Sequence, residues 1–238
     1  MTDRVNDDNL RTNGLRHSWR RITVVEEADS EGHLEDRRTK EHLVVARQGD
    51  EESTLVKLND KEPAVRERER ERRHEAENRE KYAPRSGRPS QRRGKLELDA
   101  TLIQRFRYQW LSNEVVDGRW TYVLAFAPPG EVEGGQVADR ILGNLGGRIW
   151  VDAEVFEVAR IDANLLKRIK IGGFIAEVSD LGFLIDRRPL PDGPWVDIKL
   201  ESHAAGRKLF ARFSGRMEIR QEDFAPLPAE SAKAVSVQ

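Results

Sequence analysis

The chain has no cysteine, and this absence excludes several kinds of site at once. Disulfides, thiol catalysis and thiolate metal centres all need cysteine, as does lipid attachment through an N-terminal cysteine. The chain also lacks an excess of charge of either sign, because 41 Lys and Arg residues nearly cancel 42 Asp and Glu residues. Such a chain has no global field to hold nucleic acid or an anionic membrane, so we predict no nucleic-acid partner.

Long apolar runs are absent as well. No stretch approaches the roughly 18 apolar residues of a membrane-spanning helix, so no membrane span is predicted. Residues 1–10 are polar and acidic, without the apolar core of a secretory signal. Either the protein stays inside the cell or this sequence begins after its true start. Residues 1–9 and the tail at 228–238 are expected to be disordered.

What the chain has instead is a long series of residues with a period of two. From Gly147 to Asp223, apolar and polar side chains alternate along successive segments, as in strands with one buried face. Weaker strand candidates lie at 19–27, 34–46 and 55–58. The pattern predicts a mainly β, antiparallel protein, and 238 residues are enough to bury a core.

Turn residues predict where two hairpins close. Asp117-Gly118 precedes the most apolar strand candidate, at 119–126, and Asp192-Gly193 precedes another at 195–201. A short helix is expected at 137–145, closed by Gly146-Gly147. The whole is expected to be one β domain over residues 10–227.

A charged insert at 61–94 interrupts that domain. Residues 61–83 hold fifteen charged side chains, eight basic and seven acidic, many paired at helical spacing. The segment lacks an apolar stripe to dock it, which favours a solvated helix followed by a loop at 82–94. Disorder is an alternative. Nucleic-acid binding is disfavoured because the interleaved carboxylates would repel phosphate.

An ordered series of segments resembles the bacterial outer-membrane lipoprotein-sorting proteins, the LolA/LolB-like superfamily. The series begins with the hairpin strand DGRWTYVLAFAPPG and the short helix that leads into GRIWVD at 147–152. The strand at 158–161, the bend at 170–173 and the turn before Trp195 follow, and the charged helix lies in its usual place. The resemblance spans roughly Trp19 to Phe224.

The resemblance implies a fold and a role. The fold is an antiparallel sheet curled into an open half-barrel, with helices across its concave face. The role is non-catalytic binding or carrying of lipoprotein acyl chains or lipid in the periplasm, for delivery to the outer membrane. It implies a lipid or lipidated protein as the ligand and no cofactor.

Large apolar side chains supply the candidate lining of such a cavity. A lining of aromatic and branched residues suffices to hold an acyl chain, because each methylene moved out of water yields about 0.8 kcal/mol. The alternative is that the same residues form an ordinary sheet core. The candidates are Trp120, Tyr122, Leu124, Phe126, Phe174, Phe183, Ile198, Leu209, Phe213 and Met217.

Catalysis is not predicted. Five histidines are scattered through polar segments and no pair has metal-ligand spacing, so no metal site is predicted. Asp152, Glu154 and Glu157 form an acidic cluster that could do acid–base work, but in a turn between strands it is expected to be solvated.

Two other functions stay open. One is an envelope-stress sensing or protein-interaction module of the same fold, with the charged helix contacting an envelope protein. The other is a cytoplasmic hydrolase or small-molecule-binding barrel.

Overall fold

The computed structural model describes residues 16–29, 31–47, 50–81, 104–130, 137–172, 175–191, 193–209 and 211–228. Over these ranges the protein has eleven strands and two helices. The strands are β1 (His17–Ala28), β2 (Leu34–Arg47), β3 (Asp50–Leu58), β4 (Arg107–Val116), β5 (Arg119–Ala127), β6 (Leu145–Asp152), β7 (Val158–Leu165), β8 (Ile169–Ile171), β9 (Ala176–Pro189), β10 (Trp195–Lys208) and β11 (Ala211–Pro226). The helices are α1 (Val65–Lys81) and α2 (Val137–Leu142). The predictions for residues 1–9, 82–94 and 229–238 lie outside the described ranges.

All eleven strands belong to one antiparallel sheet that is not closed. Its order is β3-β2-β1-β11-β10-β9-β7-β6-β5-β4, with β8 paired to β9. The first strand, β1, therefore lies between β2 and the last strand, β11. The mainly β, open antiparallel fold predicted from the sequence is confirmed.

Both predicted hairpins form. β4 and β5 pair directly around Asp117-Gly118, and both turn residues have positive φ, 49° and 78°. Two consecutive left-handed residues are typical of the hairpin turn whose twist matches that of the strands. β9 and β10 pair around residues 190–194, where Gly193 has a φ of 109°. Asp192 lies outside the described residues.

The strand register sorts the side chains onto two faces. Directly opposed residues of an antiparallel sheet share a face, and one such row crosses six neighbouring strands from β5 to β11. It consists of Leu124, Ile149, Ile161, Ile185, Leu200 and Ile219. We call this the apolar face. The row behind it, on the polar face, consists of Val123, Trp150, Arg160, Asp186, Lys199 and Arg220.

Two buried clusters form the core. The larger one lies on the apolar face at β6, β7 and β9, and Leu124, Phe126, Val158, Phe183 and Leu200 pack around it. Its buried members are Ile149, Val151, Ile161, Ala163 and Ile185. The second is built on Trp19, whose ring stacks on Phe224 with centroids 5.5 Å apart. Its other buried members are Val44, Ala46, Leu190 and Val196.

Two local predictions were wrong. The helix α2 ends at Leu142, and Gly146 and Gly147 lie in β6 instead of closing the helix. A Cβ on Gly147 would overlap the backbone of Asp162 and Ala163 in β7, so β6 and β7 approach too closely there for any side chain. Leu209, expected on the last strand, lies in the turn between β10 and β11 with a φ of 55°.

Asp152, at the end of β6, ties three segments together. One carboxylate oxygen accepts the backbone N–H groups of Glu154 and Val155 at 3.0 and 2.9 Å. Arg119, the first residue of β5, donates through both Nε and Nη2, the latter at 3.1 Å. The side chain of Asp152 is fully buried, so the expectation of a solvated acidic turn was wrong for this residue. The cause is Arg119, which supplies the charge that burial demands.

The electrostatics of Asp152 follow from these contacts. Burial alone would raise the pKa of the carboxyl group. The hydrogen bonds from Arg119 and from the two backbone amides outweigh the effect of burial. The pKa of Asp152 is therefore lowered from its ordinary value of 3.8. The group is therefore ionised in the folded protein at neutral pH, and it pins the β4–β5 hairpin to the β6–β7 turn.

We predict that Asp152→Asn lowers the free energy of unfolding at pH 7 by about 3 kcal/mol, because Arg119 loses its buried partner. Urea denaturation measures this change. The folded-state pKa is lowered, so the stabilisation exists above the ordinary pKa and is lost as the pH falls through the folded value. The difference between wild type and variant should therefore shrink in acid.

Glu154→Gln is the matched control, because Glu154 also receives a hydrogen bond from Arg119 but its side chain is 78% exposed. Its effect should stay within about 0.5 kcal/mol. Equal effects of the two variants would show that Asp152 has no special role.

Candidate ligand-binding face

The apolar face is not covered evenly. At the β4–β5 end of the sheet it carries four large rings, Tyr108, Trp110, Trp120 and Tyr122, all classed as exposed. Trp110 and Trp120 are 61% and 63% exposed. We call these four side chains the aromatic edge. Exposed aromatic side chains in one contiguous group are unusual on a soluble protein surface and mark a site of interaction.

The hairpin register places these rings on the same face as the large core cluster. Tyr108 lies opposite Phe126, and Trp110 lies opposite Leu124. Phe126 and Leu124 pack directly against the core cluster. The aromatic edge is thus continuous with the buried part of the face, and its exposure follows from position: β4 ends the sheet, so among the described strands none lies beyond it.

Ring contacts extend the edge toward neighbouring loops. Tyr122 stacks on Phe156 of the β6–β7 turn, with centroids 6.4 Å apart and planes at 22°. Phe106 meets Phe126 edge-on at 5.2 Å. The indole Nε1 of Trp110 donates to Asn113 Oδ1 at 3.3 Å. These contacts hold the rings in place while leaving broad apolar surface open.

The ten side chains predicted to line a cavity do not lie together. Trp120 and Tyr122 are exposed on the aromatic edge, and Leu124, Phe126 and Phe183 pack against the large cluster. Ile198 packs against the Trp19 cluster, and Met217 is half-buried in β11, opposite Ser202 and Val25. Leu209 and Phe213 are exposed near the β10–β11 turn, away from the aromatic edge. Phe174 lies outside the described residues.

Two members of the aromatic edge are absent from the predicted lining. Tyr108 and Trp110 belong to a segment whose alternation with Phe106 is visible in the sequence. Counting outward from the Asp117-Gly118 turn would pair them with Ala127 and Ala125, on the other face. A register shift between Trp110 and Ser112 places them opposite Phe126 and Leu124 instead, and the turn residues do not indicate that shift. The alternation of the segment was therefore visible in the sequence, but its face was not.

The other end of the apolar face is covered by α1. Glu71 accepts a hydrogen bond from Lys40 of β2 at 2.7 Å, and Glu75 accepts one from Ser53 of β3. Burial opposes ionisation of Glu71, but the contact with Lys40 outweighs it and lowers the pKa of Glu71. The predicted helix is confirmed, yet it is docked by charged contacts where the sequence suggested solvent.

A separate groove of about 910 Å³ lies on the sheet where the β1–β2 and β10–β11 turns approach β7 and β9. Its lining includes two arginines and six carboxylates. These are Arg37, Arg216, Glu26, Glu27, Asp162, Asp180, Glu201 and Glu218. Such a surface is unsuited to an acyl chain, so the aromatic edge is the better candidate for an apolar ligand.

The acidic cluster predicted at the β6–β7 turn is not a pair of free carboxylates. Asp152 and Glu154 both bind Arg119, and Glu157 lies 3.9 Å from Arg187. Each carboxylate thus faces an arginine, as in a structural ion-pair network.

Solved structures similar to this chain include lipoprotein-sorting proteins. One is a domain of an outer membrane lipoprotein-sorting protein from Vibrio parahaemolyticus, with 12% identity, a TM-score of 0.38 and coverage of 96% of this chain and 92% of that one. Another is a LolA superfamily protein from Nitrosomonas europaea, with 11% identity, a TM-score of 0.35 and coverage of 96% and 94%. A third is MucB in complex with MucA from Pseudomonas aeruginosa, with 9% identity, a TM-score of 0.23 and coverage of 95% and 100%.

The resemblance to lipoprotein-sorting proteins is therefore confirmed as a similarity to solved structures. No family model and no curated protein matches the chain. Sequence identities and TM-scores this low carry no information about ligand or partner. The function therefore has to be inferred from the chain's own surface. In the part of the chain that is described, no helix is both long and apolar enough to cross a membrane.

The five tryptophans allow the exposure of the edge to be tested. Trp19, Trp150 and Trp195 are buried, whereas Trp110 and Trp120 are open. We predict that acrylamide quenches the emission of the wild type in two populations, and that Trp110→Phe with Trp120→Phe removes the readily quenched one. Stern–Volmer analysis measures this.

Trp150→Phe serves as the comparison and should leave the readily quenched population intact. If the double variant keeps that population, the edge is covered in solution.

Proposed function

We propose that the chain binds the acyl chains of a lipid or a lipidated protein, without catalysis, in the bacterial cell envelope. The observation that carries the proposal is the aromatic edge, because its exposed rings continue a face whose adjoining rows are apolar and buried. An acyl chain laid along this face would remain in contact with apolar side chains over its whole length. The assignment to the periplasm follows from the resemblance to lipoprotein-sorting proteins.

The energetics of such a site need no charged group. A sixteen-carbon chain offers roughly 12 kcal/mol on transfer from water, before the losses of binding. Trp110 and Trp120 would also lose their own contact with water, which adds to the gain. The nearest ion-pair network, around Asp152, consists of carboxylates already neutralised by arginines, so its role is to hold the hairpin.

A protein partner is the second candidate, and one observation favours it. β4 is an edge strand with four exposed large hydrophobic side chains, Tyr108, Trp110, Leu111 and Val115. An edge of this kind can accept an added strand from a partner, with its side chains giving specificity. In this alternative the same surface binds an extended peptide instead of a lipid.

We predict that Trp120→Asp raises the dissociation constant of a fluorescent fatty acid by roughly tenfold or more, because a carboxylate would have to be buried against the acyl chain. The position is exposed, so the variant should keep the thermal melt of the wild type. Competition with palmitate and with a triacylated lipopeptide distinguishes a free acid from a lipidated protein.

Leu34→Asp is the matched control. Leu34 is an apolar residue of β2 with 61% exposure, and it lines the charged groove instead of the aromatic edge. It should leave probe binding unchanged. If the wild type shows no saturable probe binding, the lipid proposal is wrong and the protein partner becomes the better candidate. Equal losses in both variants would mean that the probe has no defined site.

A further inference from the structure

A buried histidine lies between α1 and the sheet, apart from the aromatic edge. His42 of β2 is 3% exposed, and among the described residues neither of its ring nitrogens makes a hydrogen bond of good geometry. Its Nε2 faces two carboxylates of α1, at 3.4 Å from Glu71 Oε1 and 3.9 Å from Glu75 Oε1. Since Glu71 and Glu75 are four residues apart, both project from the same face of the helix.

The arrangement leaves a buried ring nitrogen unsatisfied. Nε2 faces two carboxylates at 3.4 and 3.9 Å without a well-formed hydrogen bond to either. A buried polar atom in this position is unfavourable when water is excluded. A cation between the three groups would satisfy all of them.

The geometry fits a transition metal ion. The three donor atoms lie within 4.8 Å of one another. Tetrahedral zinc with ligands about 2.0–2.1 Å away would place neighbouring donors roughly 3.4 Å apart, close to the separation of His42 Nε2 and Glu71 Oε1. Imidazole and carboxylate are both zinc ligands, and three protein ligands leave a fourth position for water.

Neighbouring side chains already orient the carboxylates. Lys40 Nζ binds Glu71 Oε2 at 2.7 Å, which leaves Oε1 turned toward His42. The hydroxyl of Ser53 donates to Glu75 Oε1, the same oxygen that faces His42, and so fixes that carboxylate. Partners of this kind fix the ligand orientation in metal sites. Lys40, together with Arg21 at 3.7 Å from Glu75, also opposes a further cation, so we expect affinity in the micromolar range.

We propose that His42, Glu71 and Glu75 bind a divalent transition metal ion, zinc being the best fit, which clamps α1 onto β2. The site joins a strand to a helix that has no apolar stripe, so the ion would supply the attachment that apolar packing does not. It is independent of the aromatic edge and does not depend on the lipid proposal.

The test uses the full chain, stripped of metal with a chelator, and zinc or cobalt as the probe. Calorimetric titration should give one zinc per chain, and cobalt should give the visible absorption of a tetrahedral site. The Tm of the wild type should rise with zinc concentration, because zinc binds only the folded site. His42→Gln and Glu75→Gln should each weaken zinc binding by roughly tenfold or more.

His203→Gln is the matched control. His203 Nε2 also lies near a carboxylate, 3.3 Å from Asp180, but the pair is exposed. This variant should bind zinc like the wild type. Two binding variants are used because His42→Gln changes a buried side chain and could impair folding. Glu75→Gln keeps the histidine and changes only a side chain of the helix. Absence of zinc binding by the wild type, or equal affinity in the wild type, His42→Gln and Glu75→Gln, would overturn the proposal.

Discussion

The contact between Asp152 and Arg119 is the constraint on which the candidate site depends. β5 is paired to β6 over only six residue pairs, and among the described strands β4 pairs along its backbone with β5 alone. A side-chain hydrogen bond from Trp150 of β6 to Glu114 of β4, at 2.8 Å, adds a second tie. A hairpin carrying four exposed rings would bury more apolar surface if it folded over and packed those rings against the core cluster. The buried carboxylate fixes the start of β5 to the β6–β7 turn, and that turn also supplies Phe156 as a stacking partner for Tyr122. This ion pair, together with the hydrogen bond from Trp150 to Glu114, therefore sets the position of the aromatic edge.

The same face of the sheet meets three environments along its width. At β6, β7 and β9 it is closed by its own side chains, and at β4–β5 it is open and aromatic. At β2 and β3 it is covered by a helix whose contacts are charged. On the opposite face Trp150 stays buried because Arg148 and Arg160 lie 5.1 and 5.8 Å from its ring. Charged residues thus help to cover the ring of Trp150, beside Val123, which lies directly opposite it.

Much of the fold could be predicted from the sequence, because strand periodicity and turn residues are local signals. Alternation assigned Leu124, Phe126 and Phe183 to apolar sides, and Asp117-Gly118 indicated the register of the hairpin as far as the shift between Trp110 and Ser112. Exposure could not be predicted, because Trp120 and Leu124 share one pattern and one strand. Leu124 lies opposite Ile149 of β6, whereas Trp120 precedes the part of β5 that pairs with β6. The extent of that pairing depends on strands that are distant in the sequence. The His42 cluster was missed for a related reason: it joins residues from a strand and a helix with no motif spacing between them.

The place of β1 in the sheet has a consequence for how the protein folds. Its Arg20 pairs with Glu222, 202 residues further along the chain, and such contacts form slowly because a long loop must close first. Among the described strands, the only neighbour of β1 apart from β11 is β2, and the only neighbour of β10 apart from β11 is β9. Until β11 is in place, β1–β3 and β4–β10 are therefore two separate sheets, each with open edges that invite aggregation. During synthesis the two halves become one core only after the last strand has left the ribosome.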